Sequence, residues 1–234
     1  MWKLIRLEWK KNHIGTYIIG ALILAGCLGL FVFANAFWGI ANDPNGTLDA
    51  VEGKDTISAM VELFTSMAFL IFTCVMLSAF VVSAYRRGTM NLMFSYPIKR
   101  QKILVSQMLA VWIFNFVSLT ATKLLIYTSI YIGAKSMTSS FGVDFDMGAP
   151  FFYVQLLAKS FVLVSMSFIA LFVGLAMKSS KATIVASFVL IFFTQANVGD
   201  LSLAGNAVLP VLLTAVSFVF AMLSVCGAER KDLR

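Results

Sequence analysis

Three ionisable side chains, Glu62, Lys123 and Lys159, sit within stretches otherwise dominated by Phe, Leu, Ile, Val and Met. One carboxylate and two ammonium groups in an apolar medium have two uses. They can neutralise one another between neighbouring segments, since a lone charge at the centre of an apolar helix costs about 3 kcal/mol even on a lenient insertion scale. They can also line a wet cavity and meet an anionic or peptide substrate. The economical arrangement pairs Glu62 with one lysine and lets the other snorkel outward or face water. The polar surroundings, Thr65–Met67 and Ser118–Thr122, suit an interior-facing surface, and both uses stay open. Other chemistry is scarce. Cys27, Cys74 and Cys226 are isolated within apolar runs, and His13 is the single histidine, in a basic N-terminal segment. No disulfide framework, metal-ligand spacing or nucleophile–base pair can be assembled from these, so no catalytic or metal residue is assigned.

The elements that must position the three charges are membrane helices. The chain has 234 residues, 60% hydrophobic and 12% charged, about half the charged fraction of an ordinary soluble domain. A spanning helix needs roughly 20 apolar residues. Six windows come near that length, at about 16–38, 58–84, 102–133, 151–177, 182–198 and 207–227. The predicted fold is an all-α integral membrane protein of one domain, 1–234, with six transmembrane helices. The first window holds Leu24–Cys27, which has the form of a lipoprotein cleavage box, and Ala34–Ala36, which has that of a signal-peptidase site. The apolar run continues well past Cys27, too far for a signal peptide, so the segment is expected to stay as a helix. Gly199–Pro210 leaves room for a re-entrant dip before the last window.

Basic residues set the predicted orientation. The stretches before the first window, between the second and third, between the fourth and fifth, and after the sixth hold 14 of the 18 lysines and arginines. The opposite side has Lys54 and Lys135 with Asp43, Asp49, Glu52, Asp55, Asp144, Asp146 and Asp200. Both termini are therefore expected in the cytoplasm of a multi-pass cell-membrane protein. The net charge of +7 follows from topology and calls for no nucleic-acid partner; the acidic outer loops read as solvated, although they could attract a cationic peptide.

In the segment from Met1 to His13, Trp2, Ile5 and Trp9 recur at helical spacing on one face, with Lys3, Arg6 and Lys10 on another. This pattern predicts an interfacial helix over about 1–14, with indoles at headgroup depth and ammonium groups toward lipid phosphates.

The stretch "YRRGTMNLMFSYPIKRQKIL", Tyr85–Leu104, interrupts the apolar windows with basic residues and no acid. Gly88 and Thr89 can turn and cap a short helix that puts Met90, Met93 and Phe94 on one side. Pro97 then disfavours helix at Tyr96, so the chain breaks and restarts as the third membrane helix. Arg86, Arg87, Lys99 and Arg100 would rim this knob, whose apolar side needs a partner. The segment resembles the cytoplasmic loop of ABC-2 type transporter permeases, particularly the small bacterial permeases of bacitracin and lantibiotic resistance. The likeness rests on the Gly-Thr at 88–89, "LMFSYPI" at 92–98 and "KRQKIL" at 99–104. Ala84 and Gln107 depart from it, where relatives often carry an acid and a lysine. The resemblance implies that 85–101 is a coupling helix seated in a separate ATP-hydrolysing subunit. It further implies two such subunits, a second permease chain that is identical or different, and a bacterial plasma membrane. No GxxxxGK[ST] phosphate loop occurs in this chain. ATP and its Mg2+ would thus belong to the partner, and no cofactor to this protein.

Three functions follow for comparison. The first is the permease of an exporter moving a hydrophobic or amphipathic molecule such as an antimicrobial peptide. The second is a non-transporting sensor or scaffold for an ATPase. The third, a membrane enzyme acting on lipid, would need a cluster of carboxylates, histidines or an activated nucleophile at a boundary.

Overall fold

The computed structural model describes residues 2–42, 56–83, 100–136, 147–177, 179–195 and 208–230. Every regular element among these is helical. Helix α1 covers Trp2–Lys11 and α2 Ile14–Asn42. Helix α3 covers Thr56–Leu77 and runs on through a π-helical turn, Ser78–Val82. Then come α4, Arg100–Ser136, α5, Pro150–Ala176, α6, Ser180–Gln195, and α7, Val208–Arg230.

Apolar chains in lipid take this form because a helix satisfies its own backbone groups, which the bilayer cannot do. Among the described residues, four helical stretches are long and apolar enough to cross a membrane: Ile14–Asn35, Ile57–Val82, Gln101–Gly133 and Pro150–Ala176. They mark a membrane-embedded, all-helical protein. The last two sequence windows, 182–198 and 207–227, fall on α6 and α7, for which the apolar stretches within the described residues are Ser180–Phe192 and Val211–Val225. Helix α4, at 37 residues, is about 55 Å long, far more than the roughly 30 Å hydrocarbon core. Its first turns provide the surface on which α1 lies.

Helix α5 is the centre of the bundle, packed on α3, α4, α6 and α7. Pro150 opens it at the position where a missing N–H costs nothing. Its middle joins Phe69, Leu70, Leu119, Leu163 and Met166 in one core cluster. A second cluster, around Met76, Phe80, Leu104, Val111 and Leu171, fills the bundle toward the end of α3. A third, with Val61, Ile126, Tyr127, Ile130 and Leu156, fills the opposite end. Helix α2 lies at the edge and leaves Ile18, Ile19, Leu22, Ile23 and Leu30 exposed, as suits a lipid-facing surface.

Buried hydroxyls are satisfied largely within their own helices. Thr73 donates to the Phe69 carbonyl at 2.6 Å, Ser160 to Leu156 at 2.8 Å and Ser217 to Leu213 at 2.7 Å. Such back-bonding lets a polar residue face an apolar neighbour without an unmet donor. At the junction of α5 and α6 the backbones come very close. A Cβ on Gly174 would collide with the Thr183 side chain and press on Val82. His13 turns the chain from α1 into α2 with φ of 48°, the left-handed conformation that residues other than glycine adopt only sparingly.

Candidate functional site

The charges inside the bundle lie where α3, α4 and α5 meet. Glu62 is in the second turn of α3, on the helix whose Val61 and Thr65 are fully buried. Lys123 stands on the inward face of α4 with Leu119, Ile126 and Tyr127. Its Nζ donates to Glu62 Oε2 at 2.6 Å, with the lysine side chain 1% and the glutamate 22% exposed. One partner is thus sealed in and the other still reaches the surface. Of the two lysines open to Glu62, the structure selects Lys123.

Lys159 is half-buried on α5, seven residues beyond Phe152 and on the same face. The Phe152 ring meets Tyr127 edge-on at 5.0 Å, and farther along Trp112 donates to Ser165 Oγ at 3.3 Å. These two contacts fix the antiparallel register of α4 and α5 and bring Lys159 level with Leu119 and Lys123. The structure therefore brings together all three ionisable residues that the sequence placed inside spans, as one pair and one further cation.

The other end of the bundle carries the docking of α1. Ile5 is buried at 4% exposure, Trp9 is half-buried and donates its indole N–H to the Ala110 carbonyl at 3.1 Å, and Trp2 is exposed. Trp2 and Trp9 meet edge-on at 6.1 Å. Ile5 and Trp9 thus face protein on α4, and Trp2 remains at the periphery. Glu8 is buried and accepts from Gln107 Nε2 at 3.3 Å and Asn12 Nδ2 at 3.3 Å, with Lys11 Nζ at 3.8 Å. Gln107, the residue standing where the resembling permeases often carry lysine, is fully buried and serves as the hydrogen-bond donor to α1.

Nearby, the π turn of α3 rests on the start of α6, where Ser78 Oγ donates to the Ser180 carbonyl at 3.2 Å. The basic segment itself begins beyond this turn. Arg86, Arg87, Gly88, Thr89, Met90, Met93, Phe94, Tyr96, Pro97 and Lys99 lie outside the described residues, and Arg100 is the first residue of α4. Residues 199–207, most of the stretch with room for a re-entrant dip, also lie outside them. Among the described residues, no three His, Cys, Asp or Glu side chains are grouped so as to hold a metal ion.

The chain is similar to a protein of Bacillus subtilis (strain 168), "Uncharacterized protein YcbO". The two are 23% identical over 236 residues, which take in 98% of this chain and 99% of YcbO. No family model matches the chain, and no solved structure matches it.

Several structural residues were not singled out from the sequence. Glu8 is the single acid in a strongly basic N-terminal segment, and that isolation was the available signal. Asn115, fully buried on α4, donates to the Val111 carbonyl at 2.9 Å and lies 3.3 Å from Met76 Sδ. Its Oδ1, with Gln107 Oε1, Thr120 Oγ1 and Thr183 Oγ1, has no hydrogen-bond partner among the described residues. The π turn has no residue signature of its own.

Proposed function

We propose that this protein is the membrane-spanning permease subunit of an ABC-2 type ATP-binding cassette exporter. In this reading all six apolar helices, α2 to α7, cross the plasma membrane, both termini are cytoplasmic, and residues 85–101 form the coupling element. The substrate is a hydrophobic or amphipathic molecule such as an antimicrobial peptide. A separate P-loop ATPase, present in two copies, supplies ATP and Mg2+, and a second permease chain completes the assembly.

The observation that carries this reading is the cationic Tyr85–Leu104 segment and the helices that frame it. It leaves the π turn of α3 and enters the first turns of α4, the very turns to which α1 is tied through Glu8–Gln107 and Trp9–Ala110. The α5–α6 junction rests on the same π turn. A push on this segment would thus be shared at once by α1, α3, α4, α5 and α6, which is what a coupling element requires. The length of α4 fits as well, since about 25 Å of it exceeds the hydrocarbon core and can lie at or beyond the cytoplasmic surface. Helix α6, with 16 residues, is about 24 Å long; in this reading the bilayer thins locally to accommodate it.

The test is a mild-detergent pull-down of the tagged chain from its native membrane, with crosslinking, and of a variant carrying Met93→Asp and Phe94→Asp. The parent should recover a P-loop ATPase, and the variant should lose it at equal folded yield. A parent that captures no ATPase, even after crosslinking, overturns the reading. Export as opposed to sensing then requires vectorial movement of substrate in vesicles holding both subunits.

A further inference from the structure

The ion pair leaves a charge over. Glu62 is the single carboxylate among the described residues of the long apolar stretches, and Lys123 holds it at 2.6 Å. Lys159 has no carboxylate partner among the described residues. It stands about 13 Å along α5 from Pro150 and is half-buried. A cation at that depth calls for a counter-charge or water.

The surface beside Lys159 shows what kind of counter-charge fits. Along α5, Lys159 sits at the border between the buried face of Leu156, Ser160 and Leu163 and an exposed one. Gln155 is exposed one turn nearer the helix start and, at a spacing of four residues, lines up with Lys159. The two offer an ammonium and a carboxamide donor in succession. Next to them on the exposed side are Phe151, 73% exposed, and Val154, 62% exposed. A polar, cationic track thus adjoins an apolar strip facing the membrane. A free inorganic anion would gain nothing from the strip, and a neutral amphiphile nothing from the ammonium.

We infer that Lys159, with Gln155, binds the anionic head, phosphate or carboxylate, of a membrane-dissolved amphiphile whose chain lies along Phe151 and Val154. The site needs only the membrane-embedded bundle and is independent of any ATPase partner. Lys123 stays committed to Glu62, which leaves Lys159 as the cation available to the anion.

Native mass spectrometry of the detergent-solubilised full chain, titrated with phosphatidylglycerol or phosphatidylcholine, tests this. The parent should retain phosphatidylglycerol about ten-fold better than phosphatidylcholine, the worth of one charge-assisted hydrogen bond. Lys159→Gln should bring that ratio close to one, and Lys159→Arg should keep it. Lys135→Gln, which removes an exposed lysine near the end of α4, should leave the ratio unchanged. Millimolar inorganic phosphate should not displace the lipid. Equal retention by Lys159→Gln and the parent overturns the inference, as does an equal loss in Lys135→Gln or displacement by inorganic phosphate. Should Lys159→Gln fail to fold, Gln155→Leu, at an exposed position, decides: it should lower the ratio, and an unchanged ratio overturns the inference.

Discussion

At the scale of residues, the Glu62–Lys123 pair is unequal in its solvation, and that inequality sets its response to mutation. Glu62→Gln strands an ammonium that is 1% exposed and should destabilise the protein by about 3 kcal/mol. Lys123→Met strands a carboxylate that still reaches the surface and should cost clearly less. Changing both, to Gln and Met, should recover much of the loss, since apolar replacement of a buried pair is often near neutral. Thermal unfolding in detergent, followed for the four proteins, gives the order directly; equal losses in the two single variants would contradict it. The sequence could place both charges in apolar stretches and say that Glu62 needed a lysine. It could not choose between Lys123 and Lys159, because that depends on how far α4 slides along α3 and α5. The register is fixed by Tyr127 on Phe152 and Trp112 on Ser165, and neither contact has a local signature. Glu8 was hidden for the same reason, since its partner Gln107 is 99 residues away.

At the scale of elements, the α5–α6 junction depends on a missing side chain. Gly174 lies against Thr183 and Val82 with no room for a Cβ, and Thr183 Oγ1 has no hydrogen-bond partner among the described residues. Gly174→Ala should therefore destabilise by about 2 kcal/mol, the usual scale of overpacking. Adding Thr183→Ala removes the atom in the way and should restore part of that loss. Thermal stability of the two variants, in the same detergent, measures both steps; a Gly174→Ala protein as stable as the parent would mean that the helices part without cost. Element type was legible along the chain because apolar runs bounded by Pro, Gly and charge leave helix as the available backbone in lipid. The closeness of two helices was not, since Gly174 looks in sequence like any other glycine of an apolar run.

At the scale of the whole molecule, the six-span reading makes a definite statement about sides. In a background lacking the native cysteines, Asn197→Cys lies between α6 and α7 and Lys231→Cys follows α7. A membrane-impermeant maleimide added to intact cells should label Asn197→Cys, and should label Lys231→Cys only after permeabilisation. Labelling of both from the same side would show that α7 does not cross. The six windows were plain from composition; the fifth, 182–198, is the shortest, and hydropathy alone bounds it least sharply.

The π turn at Ser78–Val82 has a consequence for how α3 carries information along its length. A π turn accommodates an extra residue per turn, so it acts as a phase slip between the two parts of the helix. Counting by 3.6 from Glu62 reaches Phe80, which is buried, and Val81 and Val82 are buried beside it, so the inward face of α3 widens beyond Leu77. That turn is enclosed by α4, α5 and α6 together. Helix α3 is thus held less like a free rod than like a shaft in a bearing, gripped by three helices between the charged cluster and the start of the basic segment.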